Sequence, residues 1–274
     1  MKTAIRYFLK RKLSPQAFEF IRYYVWFCSF YLPRLVASVF VRRAPKVQGF
    51  PGGSASDPLL RQLRAINVFA PTKMCRVMTR HGSDKGQGKH NYTAVYSALL
   101  GKFRDRPLLI FELGLGTNNP KLPSSMGVEG RPGASLRGWR ELFPNALVCG
   151  ADIDRDILFE EEWIKTFYCD QLDSDAIRDL WSQPVLRSGC DVIIDDGLHT
   201  FEGNTTFLDG SLEHLRPGGV YVIEDIENEL IGKWHNHLES IYLKRFPNYE
   251  FAFVTLPNST NECDNNMLIV RRRL

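Results

Sequence analysis

Two short apolar runs that stop abruptly in carboxylates constrain this chain more than any other feature. They are Asp191-Val192-Ile193-Ile194-Asp195-Asp196-Gly197-Leu198-His199 and Val220-Tyr221-Val222-Ile223-Glu224-Asp225. Each reads as a buried strand, and the roughly 25 residues between them suit a right-handed strand–helix–strand crossover to a parallel neighbour. That connection gathers Asp195, Asp196, Glu224 and Asp225 at the carboxyl edge of one sheet, where open α/β folds place their ligands. Carboxylates so close together raise one another's pKa unless a cation or protons relieve them. An oxygen-only donor set without thiolate suits a hard ion such as Mg²⁺. His199, three residues beyond Asp196, adds a group that takes a proton near neutral pH. The cluster reads as a metal site with a base beside it.

The rest of the chain repeats the same alternation. Leu108–Gly114, Ala146–Asp152 and Thr166–Asp170 read as further strands, with helices expected over 58–69, 91–103, 135–143, 174–181, 207–215 and 231–246. Tyr249–Leu256 and Asn266–Arg272 make a closing antiparallel pair. The pattern predicts an α/β fold with a doubly wound, mostly parallel sheet.

Ahead of this lies a segment of different character. Residues 1–46 hold ten Lys/Arg against Glu19 alone, a balance of +9, so the other 228 residues carry −5 of the total +4. The basic excess belongs to the extension, which removes the main support for a nucleic-acid partner. Its aromatic run from Tyr23 is broken by Pro33 and Arg34 before it could span a bilayer. Two readings stay open: a helical hairpin that packs on the rest of the chain or in a homo-oligomer, or a helix lying on a membrane surface. A turn-rich stretch, 47–58, is the expected linker, and 59–274 the catalytic domain. Six scattered cysteines without a C-x-x-C pair favour a reducing compartment, the cytoplasm, with the inner face of the membrane as the alternative place.

Glu112-Leu113-Gly114-Leu115-Gly116 follows a strand, but position 119 is Asn, so the third glycine of a dinucleotide fingerprint is missing. A Tyr-x-x-x-Lys pair is absent too, which argues against an NAD-dependent oxidoreductase. A strand ending in Gly114 and a second ending in Asp152 suit a nucleoside ligand without phosphates. Glycine permits close backbone approach, and the acid accepts from ribose hydroxyls.

Blocks in order along residues 75–230 carry a resemblance: Gly82-Ser83-Asp84-Lys85-Gly86 with His90 and Tyr92, Glu112-Leu113-Gly114, Gly133 to Trp139, Asp170-Gln171, Asp195 to His199, and Gly218 to Asp225. On these the chain resembles class I S-adenosylmethionine-dependent methyltransferases, and more narrowly the macrocin/mycinamicin sugar O-methyltransferases. The resemblance implies S-adenosylmethionine as cofactor, with contacts at Glu112, Gly114, Ser135, Asp152, Asp170 and Gln171. It implies Mg²⁺ on Asp196, Glu224 and Asp225, with His199 as general base; Asp195 is then the acid left for a structural role. Leu198 departs from the small polar residue usual at its place. The acceptor it implies is a sugar hydroxyl of a glycosylated metabolite or glycan. A catechol-like diol, or a catalytically silent membrane-associated binding protein of the same fold, remain the alternatives.

Overall fold

The computed structural model describes residues 45–50, 57–68, 70, 72–86, 89–257, 261 and 263–274. The expectations for the basic extension therefore fall, but for its last two residues, outside the described residues.

Strand β1 (Lys46–Gly49) comes first, then helices α1 (Pro58–Arg64), α2 (Lys73–His81) and α3 (Tyr92–Leu100). After a 3₁₀ turn the chain runs through β2 (Leu109–Leu113), α4 (Ala134–Leu142), β3 (Leu147–Asp152), β4 (Glu160–Glu161), β5 (Ile164–Tyr168) and α5 (Ser174–Trp181). The second half holds β6 (Cys190–Asp195), α6 (Phe201–Ser211), β7 (Leu215–Ile223), α7 (Ile231–His237), α8 (Leu243–Arg245), β8 (Tyr249–Thr255) and β9 (Asn266–Arg272). All nine strands join one sheet in the order β1-β8-β9-β7-β6-β2-β3-β5-β4. The five central strands, β7-β6-β2-β3-β5, are parallel, while β9, β8 and β1 extend one edge antiparallel and β4 caps the other. This is the doubly wound sheet the alternation predicts, with its antiparallel pair at the carboxyl end of the chain.

Burial on both faces explains why the strands are continuously apolar. Neighbouring residues point to opposite sides, so Ile110, Ile194 and Val222 join Leu63, Met78, Tyr96 and Trp139 on one face. Phe111, Ile193 and Tyr221 join Trp181, Phe207 and Trp234 on the other. From β2 the chain moves outward to β3 and β5, then returns through α5 to β6 on the opposite flank of β2. That reversal opens a crevice above the carboxyl ends of β2 and β6, and the register puts Leu113 beside Asp195 and Asp195 beside Ile223.

Several local outcomes differ from the sequence reading, among them the helix expected over 207–215, which runs Phe201–Ser211 and leaves Leu215 to β7. Lys46–Gly49, at the start of the expected linker, pairs with β8 as an edge strand. Helix α1 stops at Arg64 rather than reaching Phe69. Helix α2 was not anticipated, although Thr72 caps it by accepting from the Cys75 amide at 3.0 Å and Gly82 ends it with φ 94°. The expected helix over 231–246 is broken by a π turn at Leu238–Tyr242. Among the described residues no helix is long and apolar enough to cross a membrane.

Candidate active site

The carboxyl ends of β2, β3, β6 and β7 open into a cleft of about 440 Å³. Gly114 turns the chain out of β2 with φ 91°, a conformation that L side chains rarely adopt. A Cβ at this position would lie 1.9 Å from the Asp196 carbonyl oxygen, so the turn after β2 rests directly on the turn after β6. The Asp196 amide completes that junction by donating to the Leu113 carbonyl at 2.9 Å.

On the β2–β3 side, Asp152 accepts from the Leu115 amide at 2.7 Å and the Asp154 amide at 2.9 Å, bracing the glycine turn while lining the cleft. Burial raises its pKa, against those backbone bonds. Ser135, Asp170 and Gln171 also line the cleft. Gln171 bridges two elements: its amide nitrogen donates to Asp195 at 2.8 Å, and its oxygen accepts from the Leu198 amide at 2.7 Å. Asn204 donates to the other Asp195 oxygen at 3.0 Å. Asp195 is fully buried, and burial lifts its carboxyl to about 6. It is a scaffold acid, as the division of labour among the four carboxylates anticipates.

On the β6–β7 side, Asp196, His199 and Asp225 converge, with one ligand atom from each within 4.8 Å of the others. His199 Nε2 lies 3.2 Å from Asp196 Oδ1 and 3.6 Å from Asp225 Oδ2. Both His199 and Asp225 hold left-handed backbone, φ 60° and 51°, a strain of the kind that persists where function needs it. Burial opposes a charged His199, yet the Asp196 bond and the Asp225 charge outweigh it and lift the imidazole to about 9. Tyr92 donates to Asp225 Oδ1 at 2.5 Å, and His90 Nδ1 lies 3.3 Å from the same oxygen. His90, Asp225 and Asp264 form a second convergent group on the other flank of Asp225.

Two expected site residues, Glu112 and Glu224, are not among the residues lining the cleft but adjoin it. Glu224 is buried below the cleft, where Tyr96 donates to one oxygen at 2.6 Å and Lys85 pairs with the other. Glu112 is likewise buried, accepting from Ser135 Oγ and Trp139 Nε1 at 2.5 Å each. Glu112 thus fixes α4 to the end of β2, and its link to the cleft is through Ser135. Lys85 enters the sequence reading only within the Gly82–Gly86 block of the resemblance, with no role of its own. Ile153 and Leu172 were missed: both line the cleft, and they are 43% and 49% exposed. The available signal was an apolar residue directly after each polar turn, Asp152-Ile153 and Gln171-Leu172.

No protein-family model matches the chain. Over 150 residues it is 36% identical to the 8-demethyl-8-alpha-L-rhamnosyl tetracenomycin-C 2'-O-methyltransferase of Streptomyces olivaceus, covering 54% of this chain and 36% of that protein. It is 32% identical over 150 residues to the demethylmacrocin O-methyltransferase of Streptomyces fradiae, covering 54% of this chain and 35% of that protein. The match thus spans little more than a third of the length of these relatives. Among solved structures, the MycE methyltransferase from the mycinamycin biosynthetic pathway, in complex with Mg, SAH and mycinamycin VI, superposes with a TM-score of 0.55. That likeness, at 23% identity, covers 74% of this chain and 54% of MycE. The fold is the Rossmann-like methyltransferase fold.

Proposed function

We propose that this chain is an S-adenosylmethionine-dependent O-methyltransferase that methylates a sugar hydroxyl of a glycosylated metabolite. The observation that carries the reading is the two-part cleft. One side is a nucleoside-sized wall of Gly114, Ser135, Asp152, Ile153, Asp170, Gln171 and Leu172; the other is the carboxylate–histidine group of Asp196, His199 and Asp225. A relative named as an 8-demethyl-8-alpha-L-rhamnosyl tetracenomycin-C 2'-O-methyltransferase and one named as a demethylmacrocin O-methyltransferase support the acceptor class.

In this reading Ile153 and Leu172 offer apolar surface to the adenine base, and Asp152 accepts from the ribose hydroxyls. Asp196 and Asp225 fit a hard divalent cation by their donor chemistry, and a buried neighbour, Glu224, adds negative potential beneath them. When bound, Mg²⁺ supplies Lewis-acid polarisation of the acceptor oxygen. The protein's own share is orientation and proton removal. Asp196 and Asp225 orient the acceptor side of the cleft, and the glycine turn sets the methyl donor against it. In its neutral form, which prevails when a cation offsets the Asp196 and Asp225 charges that raise its pKa, His199 takes the proton of the sugar hydroxyl while the acceptor oxygen takes the methyl group and the donor departs as the neutral thioether. Closely spaced Asp196 and Asp225 charges then hold the imidazolium. In this reading the reaction is cytoplasmic, and residues 1–46 pack on the rest of the chain or in a homo-oligomer, with contact to the inner face of the membrane the other reading.

Transfer of labelled methyl groups to sugar-bearing metabolite extracts, with and without EDTA, tests the reading. Calorimetry with S-adenosylmethionine and with NAD separates it from the oxidoreductase class. No heat with S-adenosylmethionine sinks it.

A further inference from the structure

Lys85 is 1% exposed, an environment in which lysine is seldom found without partners. Its ammonium reaches the ends of three strands at once. It lies 3.4 Å from Glu112 of β2 and 2.5 Å from Asp196 after β6, and pairs with Glu224 after β7. Burial works against the charged form, but the three carboxylates hold its pKa well above the ordinary lysine value. The same ammonium and His199 hold Asp196 well below the usual carboxylate range, against its own burial.

The backbone around Lys85 is built to deliver it there. Gly82 ends α2 with φ 94°, and the Ser83 amide donates to Met78 at 3.0 Å. The turn closes through His90 N to Asp84 O and Thr93 N to Lys85 O, both at 3.1 Å. Gly86 lies so close to α2 that a Cβ would sit 2.7 Å from Thr79 Oγ1. Ser83 and Asp84, the residues just before Lys85, line the cleft.

From this geometry we infer that Lys85 is a positioning residue: an internal counter-ion to Glu112, Asp196 and Glu224 that fastens the turn after α2 as one wall of the cofactor cleft. The role of counter-ion is independent of the methyltransferase reading, and only the cofactor arm of the test rests on it. The two parts of the role separate by mutation. Lys85→Met leaves the buried Glu112 and Glu224 and the half-buried Asp196 without their cation. Adding Glu224→Gln restores the charge of the cluster and keeps the acceptor for Tyr96. It does not restore the tether.

The test uses the full chain in EDTA, so that no metal contributes, and compares wild type, K85M and K85M/E224Q by thermal unfolding, hydrogen exchange and titration with S-adenosylhomocysteine. K85M is expected to lower the unfolding midpoint and to speed exchange at the His90 and Thr93 amides about ten-fold or more, with β2 and β3 amides unchanged. K85M/E224Q is expected to regain most of the midpoint while those amides stay fast and cofactor affinity stays about ten-fold weaker. If K85M does not fold and the double variant does, the counter-ion role stands. Wild-type exchange at His90 and Thr93 in K85M, a double variant no more stable than K85M, or failure of both to fold overturns it. If wild type itself binds no S-adenosylhomocysteine, the methyltransferase reading fails while the exchange and unfolding results still decide Lys85.

Discussion

The Gln171 side chain donates to Asp195 at 2.8 Å while its oxygen holds the Leu198 amide at 2.7 Å, so one amide couples the turn after β5 to the turn after β6. Gln171→Leu removes a donor from a buried carboxylate and an acceptor from a backbone amide. The expected cost is about 1–3 kcal/mol of folding stability, with weaker cofactor binding. Urea unfolding measures the first and calorimetry the second; unchanged values in both would mean the bridge is ornamental.

Gly114 makes a sharper case. Gly114→Ala meets both a left-handed backbone and the Asp196 carbonyl, and should cost about 3 kcal/mol or more. Gly127→Ala is the control, since Gly127 also has positive φ, 72°, but has nothing within 4 Å of the added carbon. It should cost only about 1–2 kcal/mol. Equal losses in the two variants would refute the contact argument.

Much of this was legible before the structure. The strands β2, β3, β6 and β7 announce themselves because strands buried on both faces are uninterrupted apolar runs, and each ends in a polar or glycine turn. That placed Gly114, Asp152, Asp196, His199 and Asp225 at one edge. The depth of a side chain along that edge was not legible. Glu224 sits one residue before Asp225 and Glu112 two before Gly114, both of which face the cleft, and only the three-dimensional register shows that the two glutamates are buried. Lys85 was opaque for the same reason: its three partners come from strand ends far apart in sequence, and no local pattern marks a lysine as buried. Helix α2 is short and interleaves its four apolar residues with Lys73, Arg76, Arg80 and His81, so its amphipathic face was easily passed over.

Ile153 and Leu172 allow ligand contacts to be probed without disturbing the core. Their exposure means that Ile153→Ser and Leu172→Ser should change stability by no more than about 0.5 kcal/mol. In the proposed function they weaken S-adenosylmethionine about ten-fold each, by loss of apolar contact on the order of 1.4 kcal/mol. Calorimetry on the folded variants checks this, and wild-type affinity would remove both from the adenine site.

The catalytic group predicts a different signature. His199→Ala should lower kcat by about 10²–10⁴ while leaving cofactor affinity near wild type. Asp196→Asn and Asp225→Asn should cost a similar factor, and EDTA should abolish transfer, with Mg²⁺ restoring it. Steady-state kinetics over a metal titration would show whether the loss is in turnover; full activity in EDTA would remove the cation from the scheme.

Thiol chemistry gives a test of the fold that needs no ligand. Burial pushes the Cys149 and Cys169 thiols up to about 12, and that of Cys190 higher still. A raised thiol pKa withholds the reactive thiolate, so at mildly alkaline pH iodoacetamide should spare these three and modify the exposed Cys263. Peptide mass spectrometry before and after urea reads the pattern, and rapid labelling of Cys149 in the native state would contradict the packing of β3.

The backbone contact of Gly114 with Asp196 has a thermodynamic consequence. Since neither turn has room to shift alone, a ligand that orders the β2 side stiffens the β6 side, and the second ligand then has less freedom left to remove. Linkage makes the effect mutual: whatever factor the cation adds to nucleoside affinity, the nucleoside returns to the cation. A cleft joined in this way fills as a pair.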